Sequence, residues 1–375
     1  MADLPDESSV SNAATPHIAL WLDPRQLPQE AGFIYSLAVA LKAEGCRISI
    51  VALADADLGF LPALGAPVLL HPVPRGPSWV RAIRRPSMAI IDKLKEAAVD
   101  VVLKFAPDSV NDPTDMRLQR ELPVVRWIWD AADMRTANPP ADDAHVIVSS
   151  QRMLEQCGSD RSHLTLIRPG ILGVDSTEAA ARPTDRPACM VCLDMISDYQ
   201  AFADLLDACR RLLDEQVHFL LFLCDVGKDA HRVWKLSGEL GLLDRISFIP
   251  YRYDIDPLLG QADLYIQLTA ATRLNYTTLR AMARKIPVLA NPGFNDEFCV
   301  TDQTCRVFER GQSDLLAARL RELLTHPANS GEMARKAAMN VRRNYSMSDA
   351  VLRLIAVCRQ ASGIPLTMPM NKGQA

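Results

Sequence analysis

Two pairs of carboxylates stand one residue apart, Asp55–Ala56–Asp57 and Asp254–Ile255–Asp256. Carboxylates at that spacing are able to chelate a divalent cation. Both pairs follow strand-like runs, where Asp commonly serves a turn, and turn chemistry is the reading adopted. Cys189 and Cys192 form a CxxC inside the run ACMVCL. Residues three apart on a strand point to opposite faces, so these two read as buried apolar residues rather than a redox or zinc pair. The seven histidines are scattered, with no pair at metal-ligand spacing on a helix and no readable nucleophile arrangement. Anion chemistry has better candidates. Arg273 and Arg280 accompany the helical run Tyr276–Ala283, and a guanidinium there could grip a phosphate or carboxylate in bidentate fashion. Thr272 and Asn275 suit a polar site, and equally suit capping that helix. Gly32 would let a phosphate approach the backbone, or would simply serve a turn before a helix. The segment SWVRAIRRP carries Trp79, Arg81, Arg84 and Arg85, a basic and apolar mixture that reads first as a solvated helix face.

The elements that must position these residues alternate in kind. Strand-like runs fall at His17–Leu22, Arg47–Ala52, Val68–Val73, Asp100–Phe105, Pro123–Trp129 and His145–Ser149, with helical runs at Gln29–Ala43 and Ser78–Ala98 between them. A second series follows, with strands at Ala188–Leu193, His218–Cys224, Ile246–Pro250, Asp263–Leu268 and Ile286–Ala290. Its helices are Ala201–Leu213, Lys228–Leu240 and Tyr276–Ala283, and three more close the chain from Ser313 to Gln360. Such alternation predicts βαβ units and a mostly parallel sheet in each half. The 375 residues suffice for two domains. The polar, proline-containing stretch 172–187 is the expected linker between residues 16–171 and 188–345. Residues 346–362 form a last helix. Tails 1–15 and 363–375 are expected to be disordered.

Composition excludes several classes. A formal charge of -4, from 41 basic and 45 acidic residues, argues against a dedicated nucleic-acid binder. The longest apolar run, Val217 to Cys224, is far below the roughly 20 residues that span a bilayer. MADLPDESSV lacks the basic and apolar regions of a secretory signal, so a cytoplasmic location is expected.

Several stretches are similar to one family. RISFIPYRYDIDPLLGQADLYIQL, ATRLNYTTLRAMARKIPVLANPGFNDEF and the closing helices through Tyr345 resemble the retaining, family-four-type glycosyltransferases of the GT-B architecture, the glycosyl transferases group 1. HIALWLDPRQLPQEAGFIYSLAVALKAEGCRISIV, HVIVSSQRMLEQ and LIRPGI match the N-terminal half more loosely. The resemblance implies an α/β, GT-B fold: two Rossmann-like, doubly wound domains facing across a cleft. It also implies that the last helix crosses back to the N-terminal domain. The C-terminal half would hold a nucleotide-sugar donor and the N-terminal half the acceptor.

The donor-site motif departs from the family's. An Arg and a Lys that would face the diphosphate fall near Leu193 and near Asp198 to Gln200. A Glu pair that would face the sugar and the ribose falls on Thr272 and Arg280, and an intervening Gly on Asn275. The N-domain His falls on Trp129, where Trp129 and Asp130 become candidates for sugar or acceptor contact. Gly32, Thr272, Arg273, Asn275, Tyr276 and Arg280 are the candidates for donor contact. The catalytic residues stay unassigned. No metal and no cofactor are expected, and the paired carboxylates belong to the wrong architecture for the metal-dependent class. Two readings follow. One is a metal-independent transfer of a sugar from a nucleotide-activated donor to a glycan, lipid-linked or small-molecule acceptor. The other is a catalytically inactive relative that assists a partner glycosyltransferase. Either would make at most peripheral membrane contact.

Overall fold

The structure is a computed structural model. It describes residues 15–22, 27–53, 64–71, 88–105, 113–130, 145–156, 164–172, 186–250, 254–270, 273–293 and 296–364. Asp55 to Asp57, Trp79 to Arg85, Thr272, both far tails and most of 172–187 lie outside the described residues.

Apolar runs without alternation make strands buried on both faces, the signature of parallel sheets. Strands β1 (His17–Trp21), β2 (Arg47–Leu53), β3 (Val68–His71), β4 (Val101–Lys104), β5 (Val124–Ile128), β6 (His145–Val148) and β7 (Leu164–Leu166) form one sheet, in the order β3-β2-β1-β4-β5-β6-β7. Strands β8 (Ala188–Cys192), β9 (Phe219–Cys224), β10 (Ile246–Ile249), β11 (Leu264–Gln267), β12 (Val288–Ala290) and β13 (Arg306–Val307) form a second, in the order β10-β9-β8-β11-β12-β13. Neighbouring strands in both sheets pair in parallel. Each order reverses beside its first strand. In such sheets a ligand crevice opens beyond the carboxyl ends at that switch point.

The helices cover the sheets. They are α1 (Leu27–Ala43), α2 (Met88–Glu96), α3 (Pro113–Glu121), α4 (Gln151–Gln156), α5 (Tyr199–Asp214), α6 (Ala230–Glu239), α7 (Asp256–Leu259), α8 (Tyr276–Ala283), α9 (Ser313–Thr325), α10 (Pro327–Asn344) and α11 (Met347–Ser362). The expected helix Ser78–Ala98 is described only as α2, and α3 is an element the periodicity did not reveal. Its sequence PTDMRLQRE offers little apolar face beyond the buried Leu118.

Helix α11 packs on α1, β4 and β5 of the first sheet. The crossing is tight. Ile171 N–H donates to Tyr345 O at 2.8 Å, and Met347 N–H donates to Ile171 O at 3.2 Å. A Cβ on Gly170 would stand 2.2 Å from Met347 Cα, so only glycine fits there. One apolar core runs through the seam between the two sheets, joining Phe33, Trp127 and Trp129 to Tyr276, Leu279 and Met282. A second core lies under α5 and α9.

Candidate functional site between the two sheets

The carboxyl end of the second sheet is organised by two buried carboxylates. Asp194 follows β8 at the switch point. Its Oδ2 accepts from Leu268 N–H (2.8 Å), Thr269 N–H (2.8 Å) and Thr269 Oγ1 (2.7 Å), which staples the end of β8 to that of β11. Its Oδ1 accepts from Asn275 Nδ2 at 3.4 Å. Asp296 accepts from Gln267 Nε2 (2.6 Å), Gly293 N–H (2.8 Å) and Asn275 N–H (3.0 Å). Burial pushes both carboxyl groups above their ordinary range, opposed by these hydrogen bonds. Thr278 Oγ1 donates to Gln267 Oε1 at 2.7 Å, and Asn275 Oδ1 accepts from Thr278 N–H at 3.0 Å. Asn275 therefore caps α8 and links both carboxylates, so its polar groups serve the scaffold.

The seam beside this network is charged and aromatic. Arg273 pairs with Asp130 through a short antiparallel bridge. Its Nε donates to Asp130 Oδ2 at 3.1 Å, and its Nη1 to Glu30 Oε1 of α1 at 3.3 Å. One guanidinium from the second half thus engages two carboxylates of the first. Tyr276 O–H donates to Gly170 O at 3.1 Å, and its ring meets Phe33 edge-on at 5.2 Å. Burial pushes the Tyr276 phenol up to about 12. Trp129 is 1% exposed, 4.4 Å from Phe33 between ring centroids, and its indole is enclosed in the seam core. On the far side Glu297 accepts from Arg152 N–H at 2.6 Å, with Arg168 at 3.6 Å.

A cavity of about 320 Å³ opens in the cleft between α1 and α8. Gly32, Tyr35 and Ser36 form one wall, and Arg280 with Arg284 the other. Asp254 and Asp256 close it from the start of α7. Arg280 and Arg284 both pair with Asp256 Oδ1, Arg284 at 3.1 Å. Sequence reasoning missed Arg284 and set the Asp254–Asp256 pair aside as a turn. The signal for Arg284 was present, since residues four apart share a helix face. A larger hollow of about 400 Å³ at the crossover is mainly apolar, with Val39, Ala43, Met347 and Val351 in its wall.

The two positions at which the resemblance places diphosphate cations carry none. Leu193 is buried. Asp198 caps α5 through Ala201 N–H and pairs with Arg310 at 2.9 Å. Among the described residues no group of three His, Cys, Asp or Glu side chains is arranged to hold a metal. Of the sequence candidates, the cavity brings together Gly32, Tyr276 and Arg280, while Arg273 and Asp130 bind each other and Trp129 lies inside the core.

Residues 177–343 match the family model of the glycosyl transferases group 1. A glycosyltransferase from Rickettsia africae ESF-5 superimposes with a TM-score of 0.71 at 16% identity, over 92% of this chain and 98% of that one. HepE of Anabaena, solved in complex with UDP-glucose, gives 0.70 at 17% identity, over 90% and 98%. WaaG, a glycosyltransferase involved in lipopolysaccharide biosynthesis, gives 0.65 at 15% identity, over 90% and 99%. A sequence comparison with curated proteins finds no relative. The chain has the GT-B fold, with two Rossmann-like sheets across a cleft, and resembles the glycosyl transferases group 1.

Proposed function

We propose that the protein transfers a sugar from a nucleotide-activated donor, without a metal, to a glycan, lipid-linked or small-molecule acceptor. The observation that carries this is the cleft cavity at the carboxyl ends of two switch-point sheets, walled by α1 on one side and Arg280 and Arg284 on the other. The donor would lie against the second sheet and the acceptor against the first. The near-neutral charge gives no support to a nucleic-acid partner. No described helix is long and apolar enough to cross a membrane. Eight described cysteines are free, seven of them buried, which accords with a reducing, cytoplasmic setting.

A second reading, a non-catalytic member that acts beside a partner glycosyltransferase, is favoured by Asp198 and Arg280. Arg280 stands where the resemblance places a carboxylate, Asp198 within the stretch Asp198 to Gln200 near which it places a lysine, and each is paired within the chain. One experiment separates the two readings. Purified protein is melted with UDP, GDP, ADP or CMP, then assayed for hydrolysis of the corresponding nucleotide sugars. A binding nucleotide raises stability by about 2.7 kcal/mol at roughly a hundredfold excess over its dissociation constant. Binding together with hydrolysis that Arg280→Ala abolishes supports transfer. Binding without turnover supports the second reading, and no binding by calorimetry overturns the first.

A further inference from the structure

We infer that Asp254 is the carboxylate that reads the ribose diol of the bound nucleotide. This rests on the nucleotide-sugar reading above. The cavity carries two guanidinium groups, Arg280 and Arg284, and two carboxylates, Asp254 and Asp256, so the charges in its wall balance. A balanced wall does not favour a diphosphate. It favours an uncharged group rich in hydroxyls. The four side chains divide unequally. Asp256 is taken up by both arginines. Asp254, two residues earlier, has no ion pair or hydrogen bond among the described residues and faces the cavity exposed.

An ionised carboxylate only accepts hydrogen bonds, and a vicinal diol offers two O–H donors to it. The neighbouring guanidinium groups donate only, which suits the lone pairs of the same hydroxyls. Tyr35 and Ser36 add hydroxyls from the opposite wall. Asp254 comes after β10 and just before α7, on the carboxyl side of the sheet, where ligands bind in this architecture. At about 320 Å³ the cavity is at the small end of ligand sites, the scale of one ring with its substituents. The helix α8 carries Arg280 toward the cavity, and the acid comes from the residues that lead into α7. The Asp254–Ile255–Asp256 spacing thus has a use other than metal chelation. Its first acid meets the ligand, and its second holds the arginines in place.

The test uses calorimetric titration of the full chain with UDP, GDP, ADP and CMP, each beside its 2′,3′-dideoxy analogue. For the nucleotide that binds, the wild type should prefer the ribose form by about tenfold or more, the factor expected for a hydrogen bond to a charged group. Asp254→Asn should weaken the ribose form by a similar factor, leave the dideoxy form unchanged and so erase the preference. Asp254→Glu should keep most of it. Melting temperatures without nucleotide should agree among the three proteins. A preference that persists in Asp254→Asn overturns this assignment alone, as does a wild type that binds both forms equally. A wild type that binds none of the four nucleotides overturns the nucleotide-sugar reading and this assignment with it.

Discussion

Carboxylates are held in two different ways on the two sides of α8. At the end of the second sheet, Asp194 and Asp296 are buried among backbone amides, a threonine hydroxyl and the side-chain amides of Gln267 and Asn275. Across the seam and in the cleft, Glu30, Asp130 and Asp256 are held by the guanidinium groups of Arg273, Arg280 and Arg284. The first arrangement is local to the ends of one sheet and needs no cation. The second depends on arginines, and through Arg273 it joins the two halves of the chain. The contrast explains how the scaffold persists while the charged positions of the resembled family have changed. Asp194, Asn275 and Asp296 keep the loops after β8, β11 and β12 in place whatever charge the cleft carries.

The largest expected effect is in the seam core. Trp129→Ala should cost about 3–5 kcal/mol, because an enclosed indole is lost beside Phe33 and Trp127. Urea denaturation reads it, and a cost near that of a surface substitution would show that the seam carries little of the stability.

Asp194→Ala should come next, at about 2–4 kcal/mol, since a buried amide, a part-buried amide and a hydroxyl lose their acceptor together. The same titration checks it. A neutral outcome would mean that water replaces the staple.

Arg273→Ala should cost about 2 kcal/mol, less than a fully buried pair would, because the side chain is 23% exposed and partly screened. Adding Glu30→Gln to it should cost less than the sum of the two single changes, since the pair is then lost only once. Strict additivity would separate the two residues.

The smallest effect is in pH. Burial raises the folded pKa of Asp194 and Asp296 above the ordinary 3.8, so the folded chain binds these protons more tightly than the unfolded one. Their contribution is complete below about 3.8 and is lost as pH rises through the folded values. Stability measured in urea from pH 4 upward should therefore decline less steeply in Asp296→Asn than in the wild type. An unchanged slope would remove Asp296 from the account.

Much of the fold was legible because fully buried strands read as unbroken apolar runs, as in HIALW and ACMVC. Helix α3 was not, since its nine residues are mostly polar. At the site, the resemblance pointed to the segment around α8, from which Tyr276 and Arg280 line the cavity, and named Arg273 for a donor contact and Trp129 for a place against a sugar. In the fold Arg273 binds Glu30 and Asp130, 243 and 143 residues away along the chain, partners that no local spacing announces.

By itself the sequence determined the alternation of strands and helices, the two halves, the arginine at position 280 and the lack of a lysine from Asp198 to Gln200. These depend on side-chain type and short-range spacing, which a chain displays before it folds. Only the tertiary structure decided which acid meets which arginine, and that Asp254 faces the cleft with no partner among the described residues while Asp256 holds two arginines. An ion pair needs its two groups within about 4 Å of each other, and for residues distant in the chain the folded packing alone sets that distance.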